Sequence, residues 1–191
     1  MTTTTTSTPT AQSTDYLAGT WTIDPSHSEI GFSVRHMVVS KVRGRFTGVS
    51  GTIVTGTDPL QSSATAEIDL SSIETGNAQR DDHLRSADFF EVETYPTMTY
   101  RSTGIRRSGE DHVVDGQLTL KGVTKDVPLK LELNGFGPDA FGGTRAGFTA
   151  TGEISREAFG VSFNAVIEGS GGAVVGDKIT LHLEVEAILQ S

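Results

Sequence analysis

Five histidines are the side chains best suited to metal or acid–base chemistry in this 191-residue chain, which contains no cysteine. Histidine metal sites commonly use an H-x-x-x-H spacing on a helix or H-x-H on a strand. Neither spacing occurs among His27, His36, His83, His112 and His182. The sequence therefore predicts no metal site and no required cofactor. The absence of cysteine also excludes disulfides and thiolate ligands.

A second candidate for chemistry is the polar run Arg80, Asp81, Asp82, His83 and Arg85. An acid, a base and an imidazole together are typical of general acid–base catalysis. However, adjacent residues on a helix do not face one another, and no nucleophile accompanies them. The chain also lacks G-x-S-x-G and G-x-x-x-x-G-K-[ST] motifs. We interpret the run as a salt-bridged cluster that fixes a helix to the rim of a sheet, and we expect no enzyme activity.

Three cations, Lys41, Arg43 and Arg45, alternate with Val42, Gly44 and Phe46 and so share one face of a strand. They have two interpretations: contact with anionic lipid head groups at a membrane surface, or a charged guard on an exposed strand edge. The formal net charge of −9 favours the guard. The net negative charge also argues against a nucleic-acid-binding protein, because such proteins typically carry an excess of basic residues.

The elements that position these residues have a period of two. Alternation is clearest where Ile179, Leu181, Leu183, Val185, Ala187 and Leu189 are interleaved with Thr180, His182, Glu184 and Glu186. Strict alternation indicates strands with one buried and one solvated face. Turn signals such as Asp24-Pro25, Gly142-Gly143 and Gly171-Gly172 separate the runs. The pattern predicts an all-β sandwich or barrel of about eight antiparallel strands, with one short helix at about 77–86.

Many of the positions predicted to face inward are small. They are Gly44, Gly48, Ala64, Ala66, Gly116, Ala146, Ala150 and Gly152. An apolar but underfilled interior would leave space for a hydrophobic ligand, because protein interiors otherwise pack to about 0.75 density. The alternative is that small residues let strands or sheets approach closely in a filled core. Periodicity alone leaves both open.

Several strings resemble the YceI-like proteins, in order and from about Gly19 to Leu189. They are WTIDPSHS from Trp21, FSVRHM from Phe32, VRGRF from Val42, SIETGN from Ser72, RDDHLRS from Arg80, DFF from Asp88, YP from Tyr95, GQLTLKGVTK from Gly116 and SREAFG from Ser155. The resemblance implies an extended, lipocalin-like antiparallel β-barrel. It also implies that a polyisoprenoid lipid, such as an isoprenoid quinone or prenyl phosphate, binds in an apolar channel. The expected role is carriage, storage or stress response.

The predicted ligand contacts combine the inward rows with aromatic residues of the family strings. They are Phe32, Val34, His36, Phe46, Phe89, Phe90, Met98, Tyr100, Leu118, Leu131, Phe148, Phe159, Phe163 and Leu183. Parity places most of them inside, whereas Phe89, Phe90 and Phe159 follow from the family motifs and burial preference. His36 would hydrogen-bond a ligand head group near the barrel mouth, or else be a histidine at the edge of the core. The alternatives to lipid binding are a small-molecule enzyme using the same channel and a partner-binding β protein with a packed core.

The N-terminal stretch MTTTTTSTPTAQST carries no Lys or Arg and no apolar segment. A secretory signal needs both, so the expectation is a cytoplasmic protein, although many YceI-like proteins are exported. The composition predicts a disordered tail over residues 1–15, followed by a single domain over 16–191. Exposed strand edges in that domain are compatible with a symmetric homodimer.

We expect deletion of residues 2–14 to leave the midpoint of thermal unfolding unchanged, because the segment offers almost no apolar surface to bury. Differential scanning calorimetry of the truncated and full chains measures this. A clear drop in the midpoint would show that the segment docks on the domain.

Overall fold

The computed structural model describes residues 15–37, 40–165 and 174–191. All but the last residue of the predicted tail, and the predicted turn at Gly171-Gly172, lie outside these residues. The described strands are β1 (Gly19–Ile23), β2 (Glu29–His36), β3 (Ser40–Phe46), β4 (Val49–Thr55), β5 (Ser63–Asp69), β6 (Ile73–Glu74), β7 (Thr97–Ser108), β8 (Asp111–Leu120), β9 (Val123–Asp126), β10 (Leu129–Pro138), β11 (Thr144–Ser155) and β12 (Val175–Leu189).

Eight of these strands form a closed antiparallel barrel in the order β1-β4-β5-β7-β8-β10-β11-β12, and β12 pairs back onto β1. The closing pair joins Trp21 to Leu189 and Ile23 to Ala187. The rest of β12 pairs with β2, and β3 and β6 extend this side of the sheet. The predicted all-β barrel of about eight strands is therefore confirmed, and the sandwich alternative is wrong.

The barrel has two ends. The turns between β7 and β8 and between β10 and β11 lie at one, which we call the hairpin end. The helix α1 (Ala78–Arg85) lies in the connection from β5 to β7 at the other, which we call the helix end. Short 3-10 helices at Pro25–His27, Pro59–Gln61, Leu70–Ser72 and Glu157–Phe159 complete the connections.

Helix α1 confirms the helix predicted at about 77–86. Asn77 caps its N-terminus, where the side chain accepts a hydrogen bond from the backbone N–H of Arg80 at 3.0 Å. Ser86 follows its last turn, and the Ser86 N–H donates to the carbonyl of His83. No helix in the described part of the chain is long and apolar enough to span a membrane.

The polar residues of α1 attach it to the preceding segment. Asp81 is buried and accepts hydrogen bonds from the backbone N–H and the hydroxyl of Thr75. Arg80 donates to the same hydroxyl and to the Thr75 carbonyl, both at 2.7 Å. Arg85 donates to the carbonyls of Ser71 and Ile73. The interpretation that this cluster fixes the helix to the rim is confirmed. The attachment is made mainly by hydrogen bonds to Thr75 and to backbone carbonyls, and less by ion pairs.

The cation stripe lies on the outer face of β3, as predicted. Arg45 pairs with Glu74 at 3.1 Å and with Glu29 at 3.4 Å. Lys41 and Arg43 are exposed, on the part of β3 that in the described sheet pairs with β2 alone. This position on an open edge favours the guard interpretation.

Glycines on the inner face accept aromatic rings from the neighbouring strand. A Cβ on Gly44 would lie 2.5 Å from the ring of Phe32, and one on Gly116 would lie 2.3 Å from the Tyr100 hydroxyl. Gly44 and Gly116 therefore let an aromatic ring pack closely against the backbone, and they leave no void of their own. At these two positions the close-approach alternative from the sequence analysis applies. The unfilled space lies beside Ala64, Ala66 and Ala150.

We expect Gly116→Ala to destabilise the protein by roughly 1–3 kcal/mol, because the added methyl group displaces the Tyr100 ring from a packed position. Gly104→Ala is the matched control. A Cβ there meets nothing within 4 Å, so its stability should change by less than about 1 kcal/mol in either direction. Urea unfolding of both variants measures the difference. Equal midpoints would show that Tyr100 relaxes at no cost.

Candidate functional site

The barrel encloses a cavity of about 440 Å³ that extends from the hairpin end to the helix end. Its wall consists of the inward-facing side chains of the strands and of side chains from the segments near α1. Eleven of the fourteen predicted contact residues line it: Phe32, Val34, Phe46, Phe89, Phe90, Met98, Tyr100, Leu118, Leu131, Phe148 and Leu183. The alanines Ala64, Ala66 and Ala150 lie among them. The packed-core alternative is thus wrong for the part of the chain that the structure describes, while ligand contact by these residues stays a prediction.

Three predicted residues lie outside the cavity wall. His36 is half-buried at the end of β2, beyond Val34, where the wall on this strand stops. Phe159 is only 1% exposed and packs within the main core cluster behind the wall. Phe163 is 38% exposed and contacts the rings of His83 and Phe89 at centroid distances of 5.1 and 5.2 Å. Parity alone did not show where the cavity ends along each strand.

Other histidines lie where the sequence placed them. His27 Nδ1 is 2.8 Å from Asp24 Oδ2, and the other oxygen of Asp24 accepts from the backbone N–H of Ser26. This confirms that His27 braces a local turn. His182 is exposed on the outer face of β12.

Tyr100 is the polar aromatic residue in the middle of the wall. Its hydroxyl donates to the carbonyl of Val127 at 3.0 Å and lies 3.4 Å from that of Val114. Burial, with a smaller contribution from the charge of Asp115, raises the pKa of Tyr100 to about 12. The phenol is therefore neutral at physiological pH, and its hydrogen bond is used within the wall.

Arg156 brings a positive charge to the helix end of the cavity. Arg156 is only 4% exposed to solvent. The guanidinium donates to the carbonyls of Val161 at 2.6 Å, Phe163 at 2.9 Å and Gly176 at 2.9 Å. Carbonyl oxygens thus solvate this buried cation, and the arginine joins the 156–163 segment to the start of β12.

The hairpin end of the cavity is more polar. Arg107 and His112 line it, together with the hydroxyl residues Ser62, Ser63 and Thr65. None of these five was among the predicted contacts. His112 was detectable in principle, because it shares even parity with Val114, Gly116, Leu118 and Leu120. Arg107 was not, because a break in the alternation of β7 turns it inward.

One group of side chains has metal-like spacing among the described residues: Asp24, His27 and Glu186. The Arg145 guanidinium already lies between two of them, bonded to Asp24 at 2.7 Å and to Glu186 at 2.5 Å, and it also pairs with Asp139. The hydrogen bond from Arg145 holds the pKa of the Asp24 carboxyl well below its usual value. Because a cation is built into the cluster, its chemistry is that of an ion-pair lock between β11, β12 and the end of β1.

A closed antiparallel barrel around an apolar channel, with a short helix near one end, defines a lipocalin-like class of fold. The YceI-like domain family model matches residues 21–187, and the chain belongs to this family. It is 41% identical over 146 residues to UPF0312 protein plu2095 of Photorhabdus laumondii, covering 75% of this chain and 76% of that one. It is 37% identical over 165 residues to Protein YceI of Escherichia coli O157:H7, covering 86% and 83%.

Solved structures show the same fold. The Campylobacter jejuni YceI protein matches with a TM-score of 0.68 and 31% identity, over 82% of this chain and 90% of that one. BcnA of Burkholderia cenocepacia matches at 0.74 and 24%, over 86% and 98%. A polyisoprenoid binding domain from Saccharophagus degradans matches at 0.66 and 19%, over 91% and 100%.

Substitution of two alanines on one face of β11 tests whether the cavity has room for an added side chain. Ala150 lines the cavity opposite Leu131 and Leu183, whereas Ala146 is 1% exposed within a packed cluster. We expect Ala146→Phe to cost roughly 1–3 kcal/mol or more through overpacking. Ala150→Phe should change stability by less than about 1 kcal/mol, because its ring enters unfilled space. Chemical unfolding of both variants measures this, and equal losses would contradict an open cavity.

Proposed function

We propose that this protein binds a long-chain polyisoprenoid lipid, an isoprenoid quinone or prenyl phosphate, in the barrel cavity and serves its carriage or storage. The apolar, elongated cavity is the observation that carries this proposal. The family supports it, as does the likeness in fold to a domain described as polyisoprenoid binding.

The length of the cavity favours a chain over a compact ligand. Along β12 the lining residues run from Val175 to Val185, which is about 33 Å of strand at ~3.3 Å per residue. A strand tilt of about 40° leaves roughly 25 Å along the barrel axis. This is close to the ~30 Å hydrocarbon thickness of a bilayer. A ligand that fills such a channel is long and narrow.

The chemistry of the wall favours a hydrocarbon. Among the described residues that line it, no Asp or Glu occurs. Each methylene group of a bound chain gains about 0.8 kcal/mol on leaving water. A polar group in mid-channel would lose its hydration without finding a free partner, since the Tyr100 hydroxyl already donates to Val127. The channel therefore suits a ligand whose polar atoms lie at one end.

The enzyme alternative has less support. A general acid–base reaction needs a titratable pair within hydrogen-bond reach of a substrate. The described lining lacks a carboxylate, and Tyr100 and Arg156 donate to backbone carbonyls. We therefore propose binding without turnover.

Organic extraction of the purified protein, followed by mass spectrometry, tests the proposal. We expect an isoprenoid lipid close to equimolar with the wild-type protein and much less with Ala150→Phe, because the ring occupies the path of the chain. His182→Phe is the control, since it adds a ring on the outer face of β12.

Reloading covers the case of a ligand lost during purification. Wild-type protein incubated with an isoprenoid quinone or a prenyl phosphate should retain one of them through gel filtration. An empty extract combined with failure to retain either lipid would contradict the proposal.

A further inference from the structure

Arg107 and His112 lie directly opposite each other across the β7–β8 ladder. Directly opposed residues of an antiparallel pair project to the same face of the sheet. Both line the cavity at its hairpin end. The adjoining inward pair is Ile105 and Val114. Arg107 and His112 therefore form the end layer of the wall, directly above an apolar layer.

A β-bulge is the reason that Arg107 faces inward. The register of β7 against β8 shifts between Ser102 and Gly104. Tyr100 lines the cavity before the shift and Arg107 after it, although the two positions have opposite parity. Without the extra residue Arg106 would face the interior. Bulges commonly re-aim a side chain at functional sites.

The two neighbouring arginines differ in their partners. Arg106 on the outer face donates to both oxygens of Asp115, at 2.8 and 3.2 Å. Arg107 makes no side-chain hydrogen bond or ion pair with any described residue, and neither does His112. The nearby carboxylate of Asp111 is 2.9 Å from Lys130. The barrel therefore turns the unpaired arginine toward the cavity and leaves its guanidinium available.

We propose that Arg107 and His112 bind the anionic head group of the lipid, a phosphate or diphosphate ester, with the chain extending toward α1. This rests on the proposed function and selects prenyl phosphate over quinone as the ligand class. A guanidinium fork matches phosphate oxygens in a bidentate geometry that a neutral quinone carbonyl does not offer. His112 adds a second donor across the ladder. The other cationic side chain in the described lining, Arg156, already donates to carbonyls of Val161 and Phe163.

The test compares two probes of equal chain length, geranylgeranyl monophosphate and geranylgeraniol, with the full-length protein. Wild type should bind the phosphate more tightly. Arg107→Gln should weaken phosphate binding by about ten-fold or more, the effect of one charge-assisted contact, and leave alcohol binding within about two-fold. Arg106→Gln, which removes an equal charge from the outer face, should leave both affinities unchanged. His112→Gln should weaken phosphate binding less than Arg107→Gln does.

The outcomes separate the two levels of inference. Equal affinity of wild type for both probes would overturn the head-group site and leave lipid binding intact. Failure to bind either probe would overturn lipid binding itself. Equal losses in Arg106→Gln and Arg107→Gln would show diffuse attraction by surface charge and overturn the site.

Inorganic phosphate distinguishes a lipid head-group site from a free-anion site. At concentrations matched to the lipid probe it should not compete, because it gains nothing from the channel. Effective competition would overturn the proposal. If Arg107→Gln loses its folded circular dichroism spectrum, the His112→Gln comparison decides: an unchanged preference for the phosphate probe would overturn the site.

Discussion

Pairing on both sides of β12 is the interaction on which the rest of the structure depends. One edge of this strand pairs with β11 along most of its length, and the other pairs first with β2 and then with β1. The change of partner falls at residues 24–28, and there Arg145 joins Asp24 to Glu186. Without the β1–β12 pairing the sheet would be open, its inner face would be wet, and no apolar channel would exist.

Closure of the barrel encloses a cavity, and the sizes of the inward-facing side chains then determine the shape of that cavity. Glycine positions do not widen the cavity, because Phe32 lies over Gly44 and Tyr100 over Gly116. Ala150 does widen it, since its neighbours on both strands are leucines that leave space between them, whereas Ala146 on the same strand is packed. A small residue in a barrel thus predicts either a close approach or a void, and only the neighbouring strand distinguishes the two.

Local pattern predicted most of the elements and much of the wall. The alternation from Ile179 to Leu189 and the helix at about 77–86 could be read from the sequence because each is a local property. Register is not local. The bulges at Ser102/Gly104 in β7 and Leu133/Gly135 in β10 arise from pairing with other strands. Both lie toward the hairpin end, so sequence reasoning missed residues there, and it included His36 and Phe163 because parity does not mark where a cavity stops.

The two arginines of the cavity show how one residue type serves two purposes. Arg156 is buried among carbonyls that satisfy its guanidinium, so removing it would leave those oxygens unpaired and cost stability. Arg107 is exposed at the hairpin end, and water can satisfy its donors when no ligand is bound. A cation that loses its hydration when the protein folds has a structural role. A cation that stays hydrated until a ligand binds can discriminate between ligands. In a channel whose wall has no carboxylate among the described residues, such a cation would favour a ligand with a negatively charged group at the hairpin end.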